Sequence, residues 1–205
     1  VRRPFDLAQA PLWRALWASV DAEEHILALN FHDSVVDEWS LRVFFQELEQ
    51  LYTAGGDPGA AGLSALGVQY ADYAVWQQDR LQGDLREEQQ AYWSQQLQAL
   101  PPALELPTDL PRPVQRSGRG DVRRFPLPAE LVAALRRLAR QEGTSLFCLM
   151  LASFQVWRYR YTGQQDVVVG TPVSNRERAE VQSLIGFFLN TLPIRTRLAG
   201  TESFR

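Results

Sequence analysis

The chain has 205 residues, enough to bury a substantial core as one domain or two small lobes, and its mix of 45% hydrophobic and 22% charged residues is that of a soluble globular protein. The net charge of −3, with acids and bases dispersed, marks out neither a nucleic-acid footprint nor a polybasic membrane patch. No apolar run reaches the roughly 18 residues of a membrane-crossing helix, and the opening VRRPFDLAQAP lacks the apolar core of a signal peptide, so the expected location is cytoplasmic.

The first predicted element is a strand in which Leu12, Arg14, Leu16 and Ala18 alternate with Trp13, Ala15, Trp17 and Ser19. A short DAEE link leads to a second apolar run, His25 to Phe31, which completes an antiparallel hairpin. That run stops at a knot of polar residues: His32, Asp33, Asp37 and Glu38. Ser40 then opens a helix whose inward stripe is expected to hold Leu41, Phe44, Phe45, Leu48, Leu51 and Tyr52. The charges therefore sit on a tight strand-to-helix loop, where binding and chemical groups are usually mounted.

A Gly, Ala and Pro stretch, TAGGDPGAAGLSALG, reads as a surface loop. Tyr70 to Trp76 is an amphipathic helix with aromatics on one side, and a further helix runs from Leu85 to Leu100, ending at Pro101. Residues 101–120 are proline-rich and aperiodic, so they form an extended connection, with residues 1–100 before it and 121–205 after it. Asp121 to Leu127 reads as a strand, and Pro128 to Glu142 as an amphipathic helix stopped by Gly143. Thr144 is the expected cap of a helix whose body, Leu146 to Trp157, is apolar nearly all round and so is expected to be buried on several sides, with Cys148 as a buried structural thiol. Asp166 to Gly170 is a short interior strand. Strand, helices and strand in that order give an α/β layered fold. All 21 basic residues are arginine, which excludes a lysine Schiff base and leaves fixed charges.

Three stretches of this chain carry a family resemblance. His32-Asp33-Ser34-Val35-Val36-Asp37-Glu38-Trp39-Ser40 resembles the third core motif of condensation domains of nonribosomal peptide synthetases, His-His-x-x-x-Asp-Gly followed by Trp-Ser. Tyr70-Ala71-Asp72-Tyr73-Ala74-Val75-Trp76 resembles the fourth, and Ile185 to Leu192 with Arg195 resembles the fifth, preceded by a GTPVSNR run of the same kind. The proline-rich connection is similar to the family's linker. The departures lie in the third motif, where Asp33 stands at the position of the second His and Glu38 at that of the Gly.

The resemblance implies the central part of a two-lobed fold like chloramphenicol acetyltransferase, beginning part-way through the N-terminal lobe and stopping before the sixth and seventh motifs. It implies no bound cofactor. Substrates arrive as thioesters on the phosphopantetheine arms of donor and acceptor peptidyl carrier proteins, with adenylation domains as neighbours. The second His of the family deprotonates or positions the acceptor amine, so Asp33 holds the catalytic position, with His32 as a hydrogen-bonded structural partner and Asp37 holding the loop through an arginine. Arg14 is one arginine within range of that role. Glu38, Trp39 and Ser40 line the channel or support it, and Asn190 and Arg195 support the crossover between lobes.

From the residues themselves, Asp33 is a poor substitute for imidazole. A carboxylate with a pKa of about 3.9 is a much weaker base than an imidazole near 6.5. Asp33, Asp37 and Glu38 together would also favour the unreactive ammonium form of an incoming amine. A metal site built from the same side chains lacks the spacing of a calcium loop or an HExxH pair. Two functions therefore follow from the resemblance: a condensation domain forming amide bonds with a weakened site, or a non-catalytic docking domain of the same fold that recruits a tailoring enzyme to a carrier-bound peptide.

Overall fold

The computed structural model describes residues 3–101, 106–111, 113–115, 117–201 and 203–204. The elements run β1 (Trp13–Ser19), β2 (His25–Phe31), α1 (Glu38–Thr53), α2 (Tyr70–Arg80), α3 (Gly83–Gln96), α4 (Ala129–Gln141), α5 (Leu146–Thr162), β3 (Asp166–Val173) and β4 (Asn190–Arg197). Strands β1 and β2 pair antiparallel from Trp13 opposite Phe31 to Ser19 opposite His25, and β3 pairs with β4. The chain divides into two compact units, Val1–Tyr92 with Thr171–Leu192, and Trp93–Gly170 with Pro193–Arg205.

In the first unit the β1–β2 turn is closed by the Asp21 carboxylate, which accepts from the Glu23 and Glu24 N–H groups. Phe31 at the end of β2 meets Phe44 of α1 edge to face, 5.3 Å between ring centres, and this anchors the helix on the hairpin. The core of the unit is Tyr73, Val181, Leu184 and Phe188, with Val68 and Trp76 packed on it. Phe45 and Tyr52, expected inward, are exposed. Their positions lie at the margin of the α1 stripe, and only the centre of that stripe is covered.

In the second unit α5 packs on α4, but the expected burial of α5 on several sides is not found. Leu149, Gln155 and Arg158 are buried, whereas Phe147, Met150, Phe154 and Trp157 stay exposed, because only one stripe of the helix is covered. Cys148 is likewise exposed rather than buried. Ser145, not Thr144, caps the helix, since its hydroxyl accepts from Cys148 N–H, three residues on, at 3.1 Å. Residues 121–127 form no strand. Val122 and Phe125 point to solvent there, so the β-branched and aromatic composition has no ladder to join. Gly143 ends α4 at φ +61, a conformation that suits a residue without Cβ. Helix α3 starts two residues earlier and stops four residues sooner than the sequence pattern indicates, because Ala99 turns to φ +48.

Candidate active site

The helix that follows the polar knot begins at Glu38 rather than at Ser40, because Asp37 is its cap: Asp37 Oδ1 accepts from the Ser40 N–H at 2.7 Å. Asp37 can serve there as an anion because a cation comes to it from far along the chain. Arg176 Nη2 donates to Asp37 Oδ1 at 3.1 Å and to Ser40 Oγ at 2.6 Å, while Nη1 donates to the Val181 and Leu184 carbonyls at 2.7 and 2.8 Å. The guanidinium also lies 3.9 Å from the centre of the Phe188 ring. Arg14 is not the partner; it donates to the Arg3 and Pro4 carbonyls and stacks over Phe5, as its place on β1 gives it those nearer acceptors.

Ser40 is fully buried and its hydroxyl is used to capacity: it donates to Gly186 O at 2.7 Å and accepts from Gly186 N and Arg176 Nη2. Phe188 N–H donates to Asp37 Oδ2 at 3.0 Å. Trp39 Nε1 donates to Gln182 O at 2.8 Å, so three residues of the motif loop are bonded to the 176–188 segment. Burial by itself would push the Asp37 carboxyl up. The hydrogen bonds from Ser40 and Phe188 and the charge of Arg176 outweigh it, and the carboxyl is held below its ordinary value.

The other loop residues stand outside this network. His32 is half-buried, and its Nδ1 meets the Ser34 hydroxyl at 2.8 Å and accepts the Ser34 N–H at 3.1 Å, with Phe5 edge-on to the ring. Asp33 and Glu38 are exposed, and among the described residues neither side chain has a hydrogen bond or ion pair. Asn190 accepts from the neighbouring Thr191 N–H. Arg195 forms an ion pair with Asp166 and donates to the Gln96, Gln98 and Ala99 carbonyls, which closes the end of α3 within the second unit. Among the described residues no group of three metal-ligating side chains is gathered.

Sequence reasoning missed Arg176, Gly186 and Phe188 as members of the site, although it had marked the stretches that hold them. The one available signal was chemical: in a chain whose only cations are arginines, a buried Asp37 needs an arginine, and GTPVSNR supplies one beside the fifth motif.

An α/β chain with a motif loop tied down in this way has the architecture of the chloramphenicol acetyltransferase-like condensation fold. The chain belongs to the condensation-domain family, whose model, described as "Condensation domain", matches residues 1–205. It is 49% identical over 204 residues to one of the proteins that make up linear gramicidin synthase of Brevibacillus parabrevis, covering all of this chain and 3% of that protein. It superposes on the X-domain from teicoplanin biosynthesis, solved with OxyB, at a TM-score of 0.85 and 29% identity, covering 98% of this chain and 46% of that one. It also superposes on the four-domain nonribosomal peptide synthetase AB3403, bound to AMP and glycine, at a TM-score of 0.83 and 26% identity, covering 98% of this chain and 15% of that one. The chain thus spans a small part of the gramicidin synthase protein and under half of the X-domain. Among the described residues, no helix is long and apolar enough to cross a membrane.

Proposed function

We propose that this chain is the central part of a peptide-synthetase condensation domain whose proton-transfer group is weakened. Its substrates are aminoacyl and peptidyl thioesters on the phosphopantetheine arms of a donor and an acceptor carrier protein, loaded by neighbouring adenylation domains. The acceptor amine nitrogen attacks the donor carbonyl carbon, the C–N bond forms as the C–S bond breaks, the donor thiol departs and the amine gives up a proton. Along the chain we assign residues 1–100 to one lobe, 121–205 to the other and 101–120 to their connection, although by packing Thr171–Leu192 groups with the first compact unit and Trp93–Gly170 forms part of the second.

The observation that carries the reading is the split within the motif loop: Asp37 is buried and paired with Arg176, while Asp33, at the catalytic position, is exposed and unpaired among the described residues. The Arg176 contacts to Asp37 and Ser40 give the loop a fixed scaffold. The group it presents is a carboxylate, which is a weak base near neutrality and, with Glu38 nearby in sequence, favours the ammonium form of the amine.

The likeness to the X-domain, which was solved in complex with OxyB, favours a second reading, in which the chain docks a tailoring enzyme beside a carrier-bound peptide and performs no chemistry. Single-turnover transfer between two loaded carrier proteins separates the two. The protein should be slow, Asp33→Ala should change little, and Asp33→His with Glu38→Gly should raise the rate by about 100-fold to 10,000-fold, the usual contribution of a well-matched general base. A fast parent abolished by Asp33→Ala would make Asp33 the working base. Three equally slow proteins would overturn the weakened-base reading and point to losses elsewhere in the channel.

A further inference from the structure

The fourth motif carries no group that the condensation chemistry uses, yet its first tyrosine reaches the site. The Tyr70 hydroxyl donates to the Phe187 carbonyl at 2.6 Å, and its ring meets Phe188 edge-on with centres 5.1 Å apart. A Cβ added at Gly186 would overlap the same ring. On their other side these residues are bonded to α1: Gly186 N and O both meet Ser40 Oγ, and Phe188 N–H donates to Asp37 Oδ2. Residues 186–189 lie in neither helix nor strand, so side-chain hydrogen bonds, not a ladder, set where this backbone runs.

Tyr73, one turn along α2, shows what a purely structural tyrosine does in this helix. It is buried in the core, and its hydroxyl accepts from Gln77 of the same helix. Tyr70 is more exposed, with 36% of its surface free, and its hydroxyl reaches out of its own helix. What it contributes is one directed hydrogen bond and a ring for which Gly186 leaves room.

We propose that Tyr70 is a positioning residue: from α2 it fixes the backbone of Gly186, Phe187 and Phe188, and through the Phe188 N–H it orients the Asp37 carboxylate and hence the loop bearing His32 and Asp33. This rests on the reading of that loop as the working site. The effect of Tyr70 is local and mechanical, and it is separable from which reaction the loop serves.

The test is hydrogen exchange by mass spectrometry on the full-length protein, comparing the parent with Tyr70→Phe, which keeps the ring and removes only the hydroxyl. Peptides covering residues 37–41 and 186–189 should exchange about tenfold faster in the variant, while peptides of the β1–β2 hairpin should not change. Gly186→Ala, which presses on the same ring from the other side, should give the same local pattern. In single-turnover transfer, Tyr70→Phe should lower the rate at saturating carrier without shifting the carrier concentration needed for half-maximal rate. Unchanged exchange at both peptides, or acceleration spread evenly over the first unit, would overturn the role for Tyr70. Absence of transfer in the parent and in the Asp33→His, Glu38→Gly variant would instead sink the proposed reaction, and the exchange pattern would still decide the case of Tyr70.

Discussion

Arg176 and Asp37 lie 139 positions apart in the chain, yet Nη2 of the one is 3.1 Å from Oδ1 of the other, and each side chain is 1% exposed. A pair so dry is held by more than its own attraction. Arg176 also serves two carbonyls and the Ser40 hydroxyl, and Asp37 also accepts from two backbone N–H groups. Taking two charges out of water is costly, and those extra hydrogen bonds offset that cost.

Removing one partner leaves the other charge buried and uncompensated. Arg176→Ala is therefore expected to destabilise the domain by about 3 to 5 kcal/mol, read as a drop in the urea midpoint. Arg176→Lys should not restore it, because a single ammonium cannot reach Val181 O, Leu184 O, Asp37 and Ser40 Oγ together.

The depressed titration of Asp37 fixes the sign of an acid dependence. Its folded value lies below its unfolded one, so its contribution is complete above about pH 4 and is lost as the pH falls through the folded value. Asp37→Asn should be less stable than the parent at pH 7, and the gap should narrow as the pH is lowered below about 4. Urea midpoints measured at several pH values check this; a gap that widened on acidification would contradict it.

Asp33 and Glu38 share the loop with Asp37 but take no part in the bonds of its buried pair. Asp33→Ala and Glu38→Ala should each change stability by no more than about 0.5 kcal/mol, as exposed side chains without partners usually do. Thermal denaturation of these variants beside Asp37→Ala would show the contrast within one loop.

Cys148 sits in the first turn of α5, exposed, and hydrogen bonds from Ser145 and Thr144 hold its thiol below the ordinary value. More thiolate at neutral pH means faster alkylation. The folded protein is expected to react with iodoacetamide faster than a free cysteine peptide at pH 7, and Ser145→Ala should slow it. Mass-spectrometric labelling rates at several pH values test both.

The sequence by itself determined the hairpin, the place of the motif loop at the end of β2, the helix after it and the family, because these rest on short-range signals: alternation over His25 to Phe31, the 3.6-residue stripe from Leu41 to Leu51, and three motifs in order. Within the loop, the family resemblance implied an arginine contact for Asp37, and the fold sets Arg176 against it. Which arginine could only be settled by folding, since Arg14 is near in sequence and Arg176 is not, and proximity along the chain says nothing about which carboxylate a long side chain can reach. The same holds for burial. Cys148 and Phe154 lie in a run apolar enough to be core, and Ser40 in a stretch polar enough to be surface. Yet the first two are exposed, and Ser40 is buried with every hydrogen-bonding capacity of its hydroxyl filled. Periodicity records which faces a helix can offer, and only tertiary packing decides which of them are taken up.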